Sequence, residues 1–331
     1  MILHNRRPVR AGFTLVEVMV VILIISILVA LTSSILGKVR DKARQTTAIT
    51  DMSQLGNAIG SFKTKLNAQF IPAFQPGTGN LGFQLASNYI DKTGALISAT
   101  SHEATYLKQL FPQMNLQDNG LRDSAGNFIA NGNNPPPPLL PAAGSINGPV
   151  PLDPNQTLLF FLSGSMFTNY QGFSTNRAAP FSTPSGTSVG PFIEVKAGQL
   201  LPPPSSSSAL SASFQTANAP WYTDPWGNPY AYFAYDPSLT SYPTGATWPI
   251  TSVPGPVNTA NSLAPYGLTA YFDQTGKAIQ LKGYQIICAG KNGQFGPGGT
   301  TWTPGAGNYA INSLGGDDLA SFNSTPLGSQ D

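Results

Sequence analysis

The chain is poor in cysteine, histidine and charge, and each shortage excludes a class of protein. Its 331 residues include one cysteine and two histidines. A single cysteine forms neither an internal disulfide nor a thiolate metal site, and His102 is the one histidine beyond the extreme N-terminal region. The 17 basic and 15 acidic residues leave a net charge of +2, without the basic excess typical of nucleic-acid binding. No catalytic pair stands out, so the sequence predicts no enzymatic activity.

Proline is absent between Pro8 and Pro72, although the chain contains 30 prolines. Because proline breaks helices, this is the stretch where a long helix can form. It opens with an apolar run from Phe13 to Leu36, whose one ionisable side chain is Glu17. A helix over this run would be roughly 36 Å long, enough to cross a hydrocarbon core of about 30 Å. The sequence therefore predicts a membrane part over 13–36.

Apolar residues continue beyond this run at spacings of three or four, which is typical of one face of an amphipathic helix. The pattern predicts one helix over 13–66 whose outer half packs on its own chain. Gly56 and Gly60, four residues apart, either permit close backbone approach or are tolerated helix glycines. The stripe comprises Val39, Ala43, Thr46, Ile49, Met52, Leu55, Ile59, Phe62 and Leu66.

The apolar run differs from a secretory signal peptide, because it is longer than a usual apolar core and no small-residue cleavage site follows it cleanly. An ordinary signal anchor is the remaining alternative on hydrophobicity alone. Glu17 argues against that alternative, since a carboxylate inside a membrane helix costs a few kcal/mol unless it is neutralised or paired. The string Arg-Ala-Gly-Phe-Thr-Leu-Val-Glu, residues 10–17, resembles the type IV prepilin signature, a basic leader ending in glycine before Phe-Thr-Leu-x-Glu.

This resemblance implies a processing and assembly route. A prepilin peptidase would cut between Gly12 and Phe13, removing a leader of residues 1–12, and the new Phe13 amine would be N-methylated. Glu17 would then pair with the Phe13 amine of a neighbouring subunit. The implied partners are an inner-membrane platform protein, an assembly ATPase, and copies or relatives in a homo- or heteropolymer. The chain would cross the bacterial inner membrane once with its head in the periplasm, and later enter a periplasmic or extracellular filament.

The region over 67–220 is predicted to consist of loop-rich insertions, because proline runs interrupt it at Pro135–Pro138 and Pro202–Pro204. Two pieces within it look ordered. The stretch from Ser101 to Met114 is predicted to be a short helix capped by Ser101. The stretch from Thr157 to Ser163 fits either a buried strand or a short helix.

The region over 221–331 is predicted to be a β-rich head. Turn residues lead into an aromatic strand over Asp224–Tyr235, and a second strand enters a glycine-rich loop over Gly283–Gly299. The pair resembles the C-terminal sheet of major type II secretion pseudopilins, which implies a calcium site after the final strand. Asp317 and Asp318 are the matching ligands, helped by backbone carbonyls over 290–299; a solvated acidic turn is the alternative. Cys288 is predicted to be a small core residue.

The predicted fold is therefore α+β: a long N-terminal helix packed on a C-terminal head with an antiparallel sheet, in a loop-rich chain. The predicted function is that of a structural subunit of a type II secretion pseudopilus or a type IV pilus-like filament. The family's glycine and proline further along the helix are replaced by Ser26 and Ser34, so major-subunit status is not assumed. The alternatives are a minor or adhesive subunit binding a ligand through the 67–220 loops, a DNA-uptake pilin, and a membrane-tethered enzyme.

Overall fold

The computed structural model describes residues 14–73, 83–122, 126–131, 146–164, 169–201, 220–235, 237, 268–280, 283–300, 302 and 315–328. The chain divides into two compact units, over residues 1–46 and 47–331. Gly12 and Phe13, the predicted cleavage site, lie outside the described residues, as do the two proline runs over 135–138 and 202–204.

A single helix, α1, extends from Leu15 to Leu66 and passes from the first unit into the second. The helix predicted over 13–66 is confirmed, because no proline interrupts the chain there. In the first unit its apolar side chains are exposed, from Leu15 at 76% to Val29 at 59%. As for the span predicted over 13–36, no helix in the described part of the chain combines the length and apolar character needed to cross a bilayer.

In the second unit, α1 buries the middle of the predicted stripe, from Met52 to Phe62, while Ile49 and Leu66 are half-buried. Phe62 is fully buried, and its ring makes edge-to-face contacts with Phe161 and Phe192 at centroid distances of 5.7 and 5.5 Å. Close approach is also confirmed at Gly56, where an added Cβ would lie 2.5 Å from the Tyr284 hydroxyl. At Gly60, an added Cβ would meet no described atom within 4 Å. Met52, Leu55 and Ile59 of the stripe are also buried, as are Ala48 and Ala58, which the predicted stripe does not include.

Two shorter α-helices lie in the described part of the second unit, which also has a 3₁₀ helix over Ala197–Gln199. Helix α2, Ser101–Leu110, follows a 3₁₀ turn over Ser98–Thr100. Its predicted cap is wrong by one residue: Thr100 is the N-cap, without a side-chain hydrogen bond, and Ser101 is the first helical residue. The helix also ends at Leu110, four residues before the predicted end at Met114.

Helix α3, Pro154–Ser163, resolves the strand-or-helix alternative in favour of a helix. Asp153 begins it with a capping box, accepting a hydrogen bond from the Gln156 amide at 2.8 Å while the Gln156 side chain accepts from the Asp153 amide at 3.0 Å. Every residue of α3 is buried. The Asp153 carboxylate also accepts a hydrogen bond from the indole nitrogen of Trp221, which attaches the start of the helix to a neighbouring strand.

The described strands are short and mostly antiparallel. The principal sheet has the order β11-β10-β9, built from Leu319–Ala320, Tyr284–Cys288 and Ala231–Ala234. The central strand places Ile287 opposite Ala231 on one side and Ala320 on the other. Three further pairs are antiparallel: β1 (Phe83–Leu85) with β4 (Val150–Leu152), β5 (Phe173–Ser174) with β6 (Ser188–Val189), and β7 (Leu200–Leu201) with β8 (Trp221–Tyr222). One pair is parallel: β2 (Ile129–Ala130) with β3 (Ile146–Asn147).

A small hairpin recurs in the second unit, over residues 89–97, 121–129, 222–230 and 271–279. Each stretch carries aspartate at its third position and glycine at its sixth. Its second and eighth residues form an isolated β-bridge, and its glycine has a left-handed φ between 77° and 91°. That conformation favours glycine, which explains the residue at the sixth position. Residues 123–125 of the second stretch lie outside the described residues.

Candidate functional site

The N-terminus of α1 is held by a reciprocal capping box between Thr14 and Glu17. The Thr14 hydroxyl accepts a hydrogen bond from the Glu17 amide at 3.2 Å. In return, the Thr14 amide and hydroxyl both donate to Glu17 Oε2 at 2.9 Å. The arrangement satisfies backbone donors that a helix leaves open at its first turn, and it places a negative charge at the positive end of the helix dipole.

The sequence prediction assigned Glu17 a role but gave none to Thr14. The signal was present, because T-x-x-E immediately before an apolar run is a recognised helix-start pattern. Its consequence is geometric: Glu17 Oε2 lies 2.9 Å from the Thr14 amide nitrogen, the nitrogen of the peptide bond that follows residue 13. The carboxylate is therefore positioned within the first turn, beside the predicted new terminus.

At the other end of the chain, Asp317 and Asp318 precede strand β11 and bind two places on one loop. Asp317 Oδ2 accepts a hydrogen bond from the Asn292 amide at 2.8 Å. Asp318 Oδ2 accepts one from the Gly296 amide at 2.9 Å. The pair therefore fastens the glycine-rich loop after β10 at positions four residues apart, and the loop presents N–H groups there.

Asp318 is fully buried, and its Oδ1 atom has no hydrogen-bond partner within the described part of the chain. Burial raises the pKa of Asp318 well above its ordinary value, and the nearby charge of Asp317 raises it further. Burial also raises the pKa of Asp317, against the lowering effect of the Asn292 amide. A buried carboxylate oxygen without a partner is costly and requires a proton or a cation.

The aspartate pair fits a calcium ion only in part. Asp318 Oδ1 is a suitable hard oxygen ligand, and its burial argues against the solvated acidic turn. However, the described residues contain no group of three or more His, Cys, Asp or Glu side chains able to hold a metal. A calcium ion at Asp318 would therefore take most of its six to eight ligands from backbone or amide oxygens.

The hairpin over 222–230 is joined to the central strand β10 through Asp224. Asp224 Oδ1 accepts hydrogen bonds from the amides of Trp226 and Asn228 at 2.8 and 2.9 Å. Its Oδ2 accepts the thiol of Cys288 at an S···O distance of 3.0 Å. Cys288 is fully buried, which confirms the predicted core position, and burial raises the pKa of its thiol well above the usual range. A buried, protonated thiol is a structural group and a poor nucleophile.

Comparison with known protein families gives one match. The model of the prokaryotic N-terminal methylation motif matches residues 7–33. The chain therefore carries the type IV pilin and pseudopilin signature, and Gly12, Phe13, Thr14 and Glu17 all lie within the match. The motif implies processing by a prepilin peptidase and pilin-type assembly.

Two further comparisons returned nothing. No curated protein matches the chain, and no solved structure matches it. The motif lies within the first unit, so the resemblance of the C-terminal region to major pseudopilins stays a prediction.

Proposed function

We propose that this chain is a structural subunit of a type II secretion pseudopilus or of a type IV pilus-like filament. The observation that carries the proposal is the methylation motif over 7–33, placed at the start of a continuous 52-residue helix. The outer part of this helix is built into the core of the second unit through Met52, Leu55 and Phe62. Such a chain joins an apolar assembly segment to a folded head, as a filament subunit requires.

The proposed mechanism is assembly, without catalysis. Cleavage between Gly12 and Phe13 would release an amine next to the Thr14 peptide, where Glu17 already lies within the first turn. In a bundle of apolar helices, where the dielectric is low, the amine of one subunit and Glu17 of the next would pair strongly. That pairing would align neighbouring subunits along the filament. A platform protein and an assembly ATPase would supply the site and the energy for extraction from the inner membrane.

Mass spectrometry of the mature N-terminus tests the class directly. We expect a chain that begins at N-methylated Phe13 and lacks residues 1–12. A Gly12→Val variant is the matched control, because a side chain at this position blocks close approach of the peptidase to the backbone. An intact leader on the native chain, in cells with an active prepilin peptidase, would overturn the proposal.

Two substitutions at Glu17 separate its charge from its capping role. Glu17→Gln preserves the capping box, since glutamine also occupies the third helical position of this motif, but it removes the charge. Glu17→Ala removes both. We expect both variants to insert and be cleaved, and both to lose filaments by electron microscopy. Normal filaments from Glu17→Gln would show that the cap matters and that the charge pairing does not.

Asp318 favours a second proposal, that the head binds calcium at this residue. The supporting observation is the buried Oδ1 atom, which has no partner among the described residues. A bound Ca²⁺ would neutralise the carboxylate and cross-link the loop to β11. We expect Ca²⁺ to raise the unfolding temperature of the full chain in detergent, Mg²⁺ to do so less, and Asp318→Asn to abolish the difference. If Ca²⁺ has no effect on the native chain, Asp318 is instead a protonated acid.

A further inference from the structure

The part of α1 that follows the apolar run carries a dense group of basic side chains. We name it the basic collar and define it as Lys38, Arg40, Lys42 and Arg44, all of them exposed. Asp41 is the one acidic residue among them. Four cations and one carboxylate give this short segment a local net charge of +3.

The spacing of the collar distributes its charge around the helix. Successive residues turn by about 100° in an α-helix, so residues four apart share a face. Lys38 and Lys42 therefore lie on one side of α1, and Arg40 and Arg44 lie on nearly the opposite side. A flat protein surface would meet only one of these pairs, whereas a partner that surrounds the helix would meet both.

The depth of the collar along the helix fits the surface of a bilayer. If residue 13 lies at one membrane interface, Lys38 lies roughly 38 Å along the helix axis at 1.5 Å per residue. A hydrocarbon core is about 30 Å thick, and the bilayer with its headgroups about 40 to 45 Å. Lys38 therefore falls among the headgroups of the far leaflet and Arg44, roughly 46 Å along the axis, at their outer edge, where phosphate groups surround the helix on all sides.

We propose that the basic collar binds the anionic headgroups of phospholipids in that leaflet; this rests on the proposed function, in which α1 is inserted in the membrane. The guanidinium groups of Arg40 and Arg44 match phosphate oxygens in pairs, and the ammonium groups of Lys38 and Lys42 act as point charges. Basic residues next to a membrane segment are attracted to anionic lipid surfaces. Lys42 also donates a hydrogen bond to Gln45 at 2.9 Å, and that neutral partner leaves its charge in place.

Cleavage of the leader would leave basic residues at only one end of the apolar run. The leader contains Arg6, Arg7 and Arg10, so its removal takes away the basic residues at the other end of the apolar run. In the processed subunit the collar is then the basic cluster of the first unit. Anionic lipid would therefore collect at one leaflet and would have to be released when the subunit leaves the membrane.

The test uses the full chain in vesicles of equal parts phosphatidylglycerol and phosphatidylcholine. Discs cut from the vesicles with styrene–maleic acid copolymer contain the protein and its surrounding lipid, whose ratio mass spectrometry measures. We expect phosphatidylglycerol to be enriched about twofold over the bulk ratio at low salt, as the attraction of basic residues to anionic lipid requires. The enrichment should fall at about 0.5 M salt, because screening shortens the reach of surface charges.

A charge-matched pair of variants decides the origin of any enrichment. One variant carries K38Q, R40Q, K42Q and R44Q in the collar; the control carries K65Q, K92Q, K277Q and K291Q, at exposed positions of the second unit. Loss of enrichment in the collar variant alone supports the proposal. Unchanged enrichment in the collar variant, or equal loss in both, overturns it.

Resistance of the chain to extraction by carbonate is measured on the same vesicles. A chain that resists extraction but shows no enrichment refutes the collar and leaves the filament proposal standing. A chain that carbonate removes refutes the membrane-anchored subunit, and the collar with it.

Discussion

Two hairpins of the head share one backbone geometry and differ in their surroundings. In the hairpin over 271–279, Asp273 Oδ1 accepts from the Thr275 amide and hydroxyl and from the Lys277 amide at 2.9, 2.6 and 2.9 Å. In the hairpin over 222–230, Asp224 makes the corresponding amide bonds to residues 226 and 228. Asp273 is partly exposed, whereas Asp224 is 3% exposed and also binds the Cys288 thiol.

The difference shows that the same turn can shift the pKa of its aspartate in either direction. Hydrogen bonds from Thr275 and the Lys277 amide lower the pKa of Asp273. At Asp224, burial outweighs the Cys288, Asn228 and Trp226 hydrogen bonds, and the pKa is raised. The turn sets the shape of the hairpin, and burial sets what its carboxylate contributes to stability.

The largest expected effect is that of Asp224→Ala. The substitution leaves the amides of Trp226 and Asn228 and the thiol of Cys288 without their acceptor, and each buried group left unsatisfied costs about 1 to 3 kcal/mol. We expect the unfolding free energy of the full chain in detergent to fall by about 2 to 4 kcal/mol, measured by urea titration of tryptophan fluorescence. A loss no larger than that of Asp273→Ala would mean that burial does not distinguish the two hairpins.

The pH dependence of stability should have opposite signs at the two aspartates. The pKa of Asp224 is higher in the folded chain than in the unfolded chain, where it is about 4. The unfolding free energy therefore falls as pH rises above about 4, because the folded chain holds the proton more tightly. A lowered folded pKa makes Asp273 stabilise the protein above about pH 4, and that contribution is lost as pH falls through the folded value.

The measurement is the difference in unfolding free energy between the native chain and each of D224N and D273N across pH 3 to 7. Differences are needed because burial also raises the pKa of Asp153 to about 6, so the native curve mixes several groups. Two difference curves with slopes of the same sign would contradict the assignment.

Replacing the turn glycine should lower the unfolding free energy equally in both hairpins. Gly227 and Gly276 have φ values of 91° and 77°, and within the part of the chain that the structure describes an added Cβ at either position meets nothing within 4 Å. Gly227→Ala and Gly276→Ala should therefore each cost about 1 kcal/mol, from backbone strain alone. Unequal losses in thermal unfolding would show that the two turns are not equivalent in shape.

The smallest expected effect is that of Asp273→Ala. Its hydrogen bonds lie at the surface, where water replaces the lost acceptor. We expect a fall in unfolding temperature clearly below that of Asp224→Ala, with Asp273→Asn, which keeps an acceptor oxygen, smaller still. Asp91 makes the same bonds to Thr93 and Ala95, so Asp91→Ala serves as a replicate. A large loss at either position would show that the turn itself holds the head together.

Local signals in the sequence predicted that the helices exist better than they predicted the residues at which each helix begins and ends. The absence of proline and the three-to-four stripe predicted a helix over 13–66; α1 spans Leu15–Leu66, and the stripe is buried from Met52 to Phe62. Helix α3 was ambiguous because all its residues are buried, which erases the periodicity that distinguishes a helix from a strand. The D-P pair at 153–154 marked its start through the capping box.

The candidate sites depended on contacts that sequence patterns do not reveal. Asp317 and Asp318 were identified as a pair, but the burial of Asp318 follows from its place beside β11 and the distant loop at Gly296. The recurring hairpin was visible in the sequence as aspartate and glycine three residues apart, and it was missed because its flanking residues vary. Thr14 was likewise readable from the T-x-x-E pattern.

The capping box at Thr14 and Glu17 changes how assembly energy should be counted. An isolated subunit already gives its carboxylate two donors from Thr14. In the proposed assembly, docking onto a neighbour would exchange one set of partners for another, and the net gain would be the difference between the two. A modest difference would let a growing fibre reject a wrongly aligned subunit and release it again, so the proposed joint would be reversible.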